Sequence, residues 1–135
     1  MKKLLLWFLV LQLMQINNTA AQKSDAIQKT GWHKIGEVVA DLNMEAESII
    51  IPKPGKYKAI KLEVLNAPIK LLALKIYYEG DVVEEIPLQC NLKKNEETKV
   101  VDILKDKNLQ KITFTYEVIR TVKANTVQVD LFGLK

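Results

Sequence analysis

The chain has very few of the residues on which catalysis and covalent cross-linking depend. Its 135 residues include one cysteine, Cys90, and one histidine, His33. A single cysteine excludes an internal disulfide, so Cys90 is expected to be a small buried residue at a strand end. The motifs G-x-S-x-G, H-E-x-x-H and C-x-x-C are all absent. We therefore expect a protein that is not an enzyme and that is stabilised by packing.

Arginine is almost missing as well. Arg120 is the only arginine, and the remaining positive charge is lysine spread along the chain. Nucleic-acid-binding proteins usually cluster arginine, because its planar guanidinium group pairs with guanine and phosphate. The sequence therefore argues against a nucleic-acid partner.

The longest apolar run lies at the N-terminus. Lys2 and Lys3 precede the mostly apolar residues 4–16, and small or polar residues follow, with Thr19 and Ala21 at −3 and −1 of a cleavage point. This order is typical of a secretory signal peptide. The run is shorter than the roughly 20 apolar residues that span a bilayer.

The sequence thus divides into three parts. We predict a cleavable signal peptide at residues 1–21, a flexible polar leader at residues 22–31 and a single domain at residues 32–135. A domain of this length can bury a self-sufficient core. We expect the mature protein to be periplasmic or secreted, with no transmembrane segment after signal cleavage.

Apolar and polar residues alternate in twos along most of the domain, as in half-buried strands. Both faces of Ile69–Tyr78 are apolar, which favours a central strand, with Leu72, Leu74, Ile76 and Tyr78 on one face. Pro87 favours a sheet edge for the strand that contains it. The predicted strands are Tyr57–Leu65, Ile69–Tyr78, Val82–Gln89, Lys111–Ile119 and Asn125–Phe132, with weaker ones at Trp32–Val39 and at Ser48–Ile51, which Pro52 to Gly55 would stop.

Residues 95–107 fit two structures. Asn95 is a suitable helix cap, with acidic residues after it and lysines near the end. However, Lys99–Leu104 is rich in β-branched residues, which favours a strand. Seven to eight short strands separated by turn residues predict an all-β fold, an antiparallel β-sandwich of jelly-roll type.

Many core and turn positions form a recognisable series. It runs through Trp32, Ile35, Gly36, Gly55, Tyr57, Ala59, Ile60, Leu62, Val64, Asn66, Ala67, Pro68, Ile69, Leu74, Ile76, Tyr78, Gly80, Ile86, Leu88, Ile112, Phe114, Tyr116 and Gly133. In these residues the chain resembles a group of small exported bacterial β-sandwich proteins of uncharacterised function. The resemblance implies that fold for nearly all of the mature chain and implies no chemistry. That group tends to place arginines around the later strands, where this chain has lysines and Arg120.

Aromatic residues give the first candidate binding site. Trp32 and His33 begin the ordered domain, and Tyr77 lies on the strand face opposite Tyr78. The apolar face of an aromatic ring matches the C–H face of a sugar, and tryptophan and tyrosine add a polar group. Tyr57 fits as an extension of this surface. The alternative is that Trp32 belongs to the core and Tyr77 packs in a second layer.

The turn around Pro52–Lys58 is rich in lysine. Lys53, Lys56 and Lys58 suit anionic glycans or lipid headgroups, and they equally suit a solvated hairpin tip.

A second candidate site would hold a metal ion. Asp41, Asn43, Glu45 and Glu47 place oxygen ligands at spacing two, as calcium-binding loops do. The glycine that such a loop uses to turn is replaced by Ala46. These residues are a candidate site for structural calcium or, alternatively, a solvated polar face, and no other cofactor is expected.

Together these observations favour a non-catalytic binding or structural module of the bacterial cell envelope. Its partner would be another envelope macromolecule, a protein or a glycan. One alternative is a carbohydrate-binding module that uses exposed aromatic residues. Another is an enzyme inhibitor that presents the segment Pro52–Lys58 as a rigid loop.

Overall fold

Eight strands form two antiparallel four-stranded sheets in the structure, a computed structural model that describes residues 31–119 and 123–135. One sheet has the order β1-β8-β3-β6 and the other the order β2-β7-β4-β5. The described residues contain no helix. The strands are β1 Trp32–Asp41, β2 Ala46–Gly55, β3 Ala59–Leu65, β4 Ile69–Tyr78, β5 Val82–Leu92, β6 Val101–Asp102, β7 Leu109–Val118 and β8 Thr126–Leu134. The predicted all-β sandwich is confirmed.

The core lies between the inner faces of the two sheets, and alternation along each strand explains it. In β3, Ile60, Leu62 and Val64 are buried, whereas the intervening Lys61 and Glu63 are only half-buried. The strands β7 and β8 contribute in the same way. The largest fully buried side chains include Tyr78, Tyr116, Phe114, Ile49, Ile60 and Leu62. Period-two alternation was therefore sufficient to identify most of the core.

The central strand β4 has the predicted bounds, but its inward face differs from the prediction in the first part of the strand. Leu74, Ile76 and Tyr78 are buried as expected, whereas Leu72 is not and Leu71 is. The pairing of β4 with both neighbours shifts between Leu71 and Ala73. A β-bulge adds one residue and so exchanges the two faces of a strand. Periodicity alone could not locate this bulge.

Two edge strands show how the sheets accommodate proline. β5 is an edge strand, as Pro87 predicted. β2 is also at an edge, and it continues to Gly55 instead of stopping at Ile51. Its register with β7 shifts between Ile50 and Gly55, where the prolines lie. A proline on the free side of an edge strand removes no ladder hydrogen bond, so the strand can continue through it.

Residues 95–107 are neither the helix nor the full strand that the sequence allowed. Only Val101–Asp102 is strand, paired with Ala59 and Ile60 of β3. Before it, Glu97 bridges to Glu63. Thr98 is buried, and its hydroxyl accepts a hydrogen bond from the Leu62 amide at 3.0 Å. The segment therefore closes the edge of its sheet through side-chain as well as backbone contacts.

The N-terminal predictions fall outside the described residues. The predicted signal peptide, 1–21, and the predicted leader, apart from Gly31, are in that part of the chain, and so is Arg120. Residues His33–Lys135 form one compact unit. No helix within the described ranges is long and apolar enough to cross a membrane.

Candidate functional site

A cleft of about 450 Å³ lies between the edge strands β1 and β2. The two strands approach closely further along, where a Cβ on Gly36 would lie only 2.6 Å from Cγ2 of Ile49. Beyond this contact they line the cleft with His33–Ile35 and Pro52–Pro54, and Tyr57 and Lys135 complete it. Small-molecule sites commonly have volumes of about 300–1,000 Å³. This cleft, which we call the end cleft, is large enough for a small ligand or part of a polymer.

Tyr57 is held in the end cleft by contacts that leave its ring little freedom. A Cβ on Gly133 would lie 2.6 Å from Cδ1 of Tyr57 and 2.9 Å from Cε1, so the ring packs directly on the Gly133 backbone. A Cβ on Gly55 would lie 3.6 Å from the Tyr57 hydroxyl oxygen, an ordinary van der Waals contact. The Tyr57 hydroxyl has no hydrogen-bond partner among the described residues. A rigid ring with an unbonded hydroxyl is well suited to bind a ligand.

The charged side chains that line the end cleft are lysines: Lys34, Lys53 and Lys135. Lys34 donates a hydrogen bond to Glu37 at 2.5 Å and lies 3.5 Å from Asp130. The bond to Glu37 raises the pKa of Lys34, so this lysine stays charged and anchored. Lys53 has no carboxylate partner among the described residues.

A second, smaller cleft of about 310 Å³ shares Tyr57 and Lys135 with the end cleft. Backbone hydrogen bonds fix its walls, because the Lys58 amide donates to Leu134 at 2.7 Å and the Lys58 carbonyl accepts from Ile103 at 2.8 Å. Its lining residues are Lys56, Tyr57, Lys58, Ile103, Leu104, Lys105, Asp106 and Lys135. Tyr57 therefore stands between two adjoining clefts that are rich in lysine.

The structure brings some of the predicted ligand-binding residues together and separates others. His33 is exposed in the end cleft, next to the lysine-rich turn. Trp32 is half-buried at the first position of β1. Tyr77 lies on β4, in the other sheet, with Lys111 Nζ 4.4 Å from the centroid of its ring. The aromatic residue that accompanies His33 in the end cleft is Tyr57.

Tyr77 has surroundings of its own. It lines a depression of about 260 Å³ on the outer face of the sheet β2-β7-β4-β5, together with Lys75, Glu85 and Thr113. This depression is smaller than the end cleft. Lys111 lies over the Tyr77 ring, much as Lys135 lies over the Tyr57 ring at 5.5 Å from its centroid. The sequence pattern identified the outward-facing side of Tyr77 but could not show that β4 belongs to a different sheet from β1.

The residues proposed for calcium have other contacts. The Asp41 carboxylate accepts a hydrogen bond from the Asn43 amide at 2.8 Å, and the Glu47 carboxylate accepts one from the Ser48 amide at 3.1 Å. Glu47 lies within β2, whereas Glu45 precedes that strand. The described part of the chain has no group of three or more His, Cys, Asp or Glu residues that could hold a metal ion. Calcium binding stays a prediction, and these contacts add nothing to it.

The chemical groups in the two clefts are suited to binding. Their lining includes no serine, threonine or glutamate, and its one carboxylate, Asp106, lies 3.3 Å from Lys56. Cys90 is half-buried on β5, where burial raises the pKa of its thiol and so disfavours the reactive thiolate. What the clefts offer a ligand is an aromatic ring, a hydroxyl and several ammonium groups.

Comparisons with solved structures show similarity in fold. A carbohydrate-binding domain from Clostridium perfringens, CpGH89CBM32-4, superposes with a TM-score of 0.50 at 11% identity, covering 73% of this chain and 77% of that one. The family 29 carbohydrate-binding module CBM29-2 gives 0.42 at 11% identity, covering 76% and 81%. Pseudomonas aeruginosa AlgX gives 0.49 at 10% identity, and this chain, of which 76% is covered, spans only 27% of AlgX.

Comparisons of sequence give a family and no individual relative. No curated protein matches the chain significantly. One family model matches residues 4–133, which is nearly the whole sequence. The chain therefore belongs to the family described as "Domain of unknown function (DUF2541)".

Proposed function

We propose that this chain is an exported, non-catalytic binding module that recognises a glycan of the bacterial cell envelope through the end cleft. The observation that carries the proposal is the position of Tyr57, a rigid half-buried ring at the centre of two adjoining clefts, with a hydroxyl that has no partner among the described residues. Export rests on the order of charged, apolar and small residues at positions 1–21.

A glycan fits the end cleft better than a protein surface does. The cleft is concave and holds about 450 Å³, a volume typical of sites for small ligands. Protein partners generally need about 800 Å² on each side. The polar groups and the tyrosine ring match the hydroxyl groups and the C–H face of a sugar. The sandwich fold shared with a carbohydrate-binding domain is compatible with this function.

The contacts of Pro52–Lys58 weaken the inhibitor alternative. Pro52, Lys53 and Pro54 belong to β2 and form one wall of the end cleft. Lys58 is joined by backbone hydrogen bonds to Leu134 and Ile103. The segment thus serves as a wall between neighbouring elements, whereas an inhibitory loop would have to enter the cleft of a partner.

The proposal can be tested with the full chain and a panel of soluble polysaccharides, neutral and acidic, in affinity gel electrophoresis and titration calorimetry. We expect at least one polysaccharide to bind. Tyr57→Phe should weaken binding about fivefold, because one hydrogen bond contributes about 1 kcal/mol. Its stability should match that of the wild type, since the hydroxyl has no partner among the described residues.

Tyr77→Phe is the matched control, because Tyr77 lies on the other sheet. Its affinity should equal that of the wild type. If Tyr77→Phe weakens binding and Tyr57→Phe does not, the ligand lies on the sheet face and the end cleft is the wrong site. If none of the polysaccharides binds to the wild type, the proposed function is wrong.

A further inference from the structure

Lysines from four separate parts of the chain meet around Tyr57. Five lysines line the two clefts and together form what we call the basic end: Lys53, Lys56, Lys58, Lys105 and Lys135. Lys34 also lines the end cleft but is not included, because it is paired with Glu37 and Asp130. The lysines of the basic end come from β2, the turn before β3, the loop before β7 and the residue after β8. All of them are exposed. Only the tertiary structure brings these segments together.

The basic end is poorly neutralised by the protein itself. Its one ion pair joins Lys56 to Asp106 at 3.3 Å. The other four lysines of the basic end have no carboxylate partner within residues 31–119 and 123–135: Lys53, Lys58, Lys105 and Lys135. Seven lysines elsewhere in the described ranges also lack a carboxylate partner: Lys75, Lys93, Lys94, Lys99, Lys107, Lys111 and Lys123. What distinguishes the basic end is that its five lysines line two adjoining clefts, in which Asp106 is the one acidic side chain.

Concave walls of one sign strengthen the local potential. A cleft lined by positive charge, with low-dielectric walls, concentrates anions and speeds their association. Lysine provides a hydrated point charge and no planar fork, so it suits anions that are distributed along a flexible chain. Tyr57 separates two such clefts, and a polymer that crosses it would meet ammonium groups on both sides of the ring.

We infer that the ligand of this site is an acidic glycan, a polysaccharide that carries carboxylate or sulfate groups on repeated sugar units. The inference rests on the proposed function and specifies its substrate class. The lysines bind the anionic groups, and Tyr57 contacts the sugar between them.

A lipid surface is the other common source of anionic groups, and the geometry disfavours it. Tyr57 and the lysines line two concave clefts, whereas a planar bilayer fits a flat or convex surface. Peripheral membrane proteins present a broad apolar face to the acyl chains. Here the clefts offer one strongly exposed apolar side chain, Leu104, which is 89% exposed.

The test compares polymers that differ only in charge. The wild-type full chain is titrated with polygalacturonate and with its fully methyl-esterified form, and then with dextran sulfate and dextran. At least one acidic polymer should bind at least tenfold more tightly than its uncharged counterpart. Its affinity should fall as sodium chloride rises from 20 to 300 mM, because salt screens exposed charges.

Lysine variants locate the site. Lys53→Gln and Lys105→Gln remove one unpaired charge from each cleft, and each should weaken binding of the acidic polymer up to about fivefold, the upper range for an exposed ion pair. The double variant should weaken it up to about 25-fold, because the effects of independent sites add in free energy. Lys75→Gln, an exposed lysine on the other sheet, is the control and should bind like the wild type.

The possible results separate the two proposals. Equal affinity for acidic and uncharged polymers, or binding of neutral polysaccharides alone, would leave glycan binding standing and overturn the inference about charge. Binding to vesicles of phosphatidylglycerol and phosphatidylcholine (1:3), without binding to any polysaccharide, would overturn both. If the acidic polymer binds more tightly than its uncharged counterpart, but Lys75→Gln abolishes this binding and the cleft variants do not affect it, the basic end is not the binding site.

Discussion

Replacement of Gly133 by alanine tests how the Tyr57 ring is held. A Cβ at this position would lie 2.6 Å from Cδ1 of Tyr57 and 2.9 Å from Cδ1 of Ile35. The isoleucine methyl group can rotate away, but relief of the other contact requires the whole tyrosine ring to move. Overpacking of this kind costs about 1–3 kcal/mol. The substitution also reduces the conformational entropy of the unfolded chain, which stabilises the folded state by about 0.4–1 kcal/mol. We therefore expect a net loss of about 1–2 kcal/mol in the free energy of unfolding.

Gly55→Ala is the matched control. Its Cβ would lie 3.6 Å from the nearest Tyr57 atoms, an ordinary van der Waals contact, and neither glycine has a left-handed φ. Gly55→Ala should therefore be neutral or stabilising by up to about 1 kcal/mol. Urea denaturation followed by circular dichroism measures both variants.

A double-mutant cycle isolates the contact with the ring. In a Tyr57→Ala background, the cost of Gly133→Ala should fall below about 0.5 kcal/mol, because the rigid neighbour is gone. The packing described for Tyr57 would be refuted if Gly133→Ala were as stable as the wild type. It would also be refuted if Gly133→Ala lowered the free energy of unfolding equally in the Tyr57→Ala background. Since the clash also pushes the ring into the end cleft, Gly133→Ala should weaken glycan binding, whereas Gly55→Ala should not.

Two further predictions concern the sheet that contains β3. Thr98→Val leaves the buried Leu62 amide without its acceptor and should lower the free energy of unfolding by about 1–3 kcal/mol, measured by denaturation. Thr98→Ser keeps the hydroxyl and should retain most of the stability. Equal losses in the two variants would contradict this hydrogen bond. Burial, and then the charges of Glu97 and Asp130, raise the pKa of Glu63 above the ordinary 4.5. The folded state therefore binds the Glu63 proton more tightly than the unfolded state does. As a result, stability falls as pH rises through the raised pKa. Glu63→Gln should therefore raise the free energy of unfolding at pH 7, and this gain in stability should disappear below pH 4.5. A gain in stability that is constant across this pH range would contradict the raised pKa of Glu63.

Much of the architecture was predictable, because burial on one face of a strand leaves a period of two in the sequence. Ile69–Tyr78 was predicted with its exact bounds, and Pro87 correctly indicated an edge strand. The incorrect predictions for β4 and β2 have the same cause, because both features depend on how the strand pairs with its neighbours. The bulge after Leu71 depends on how β4 meets both neighbours, and β2 continues through Pro52 because its free side faces no strand.

The candidate site was only partly predictable, for a related reason. His33 and the lysine-rich turn were singled out separately, and Tyr57 was given a minor role. The sequence contained no signal that would join them with Lys105 and Lys135, which follow them by many residues. Tyr77 was correctly expected to face away from the core, but its strand belongs to the other sheet. Alternation tells which side of a strand a residue occupies and nothing about which strands are neighbours.

The sequence by itself determined that this protein is a β-sandwich with a given set of inward-facing residues, because local alternation and turn residues specify each strand without reference to the others. Only the tertiary structure decided that five exposed lysines and one tyrosine share one end of the molecule. Alternation places charged residues on the outer side of a strand, but it carries no information about which charged residues of different strands will lie together. Their grouping follows from strand order, and strand order is fixed by contacts between segments that are distant in the chain.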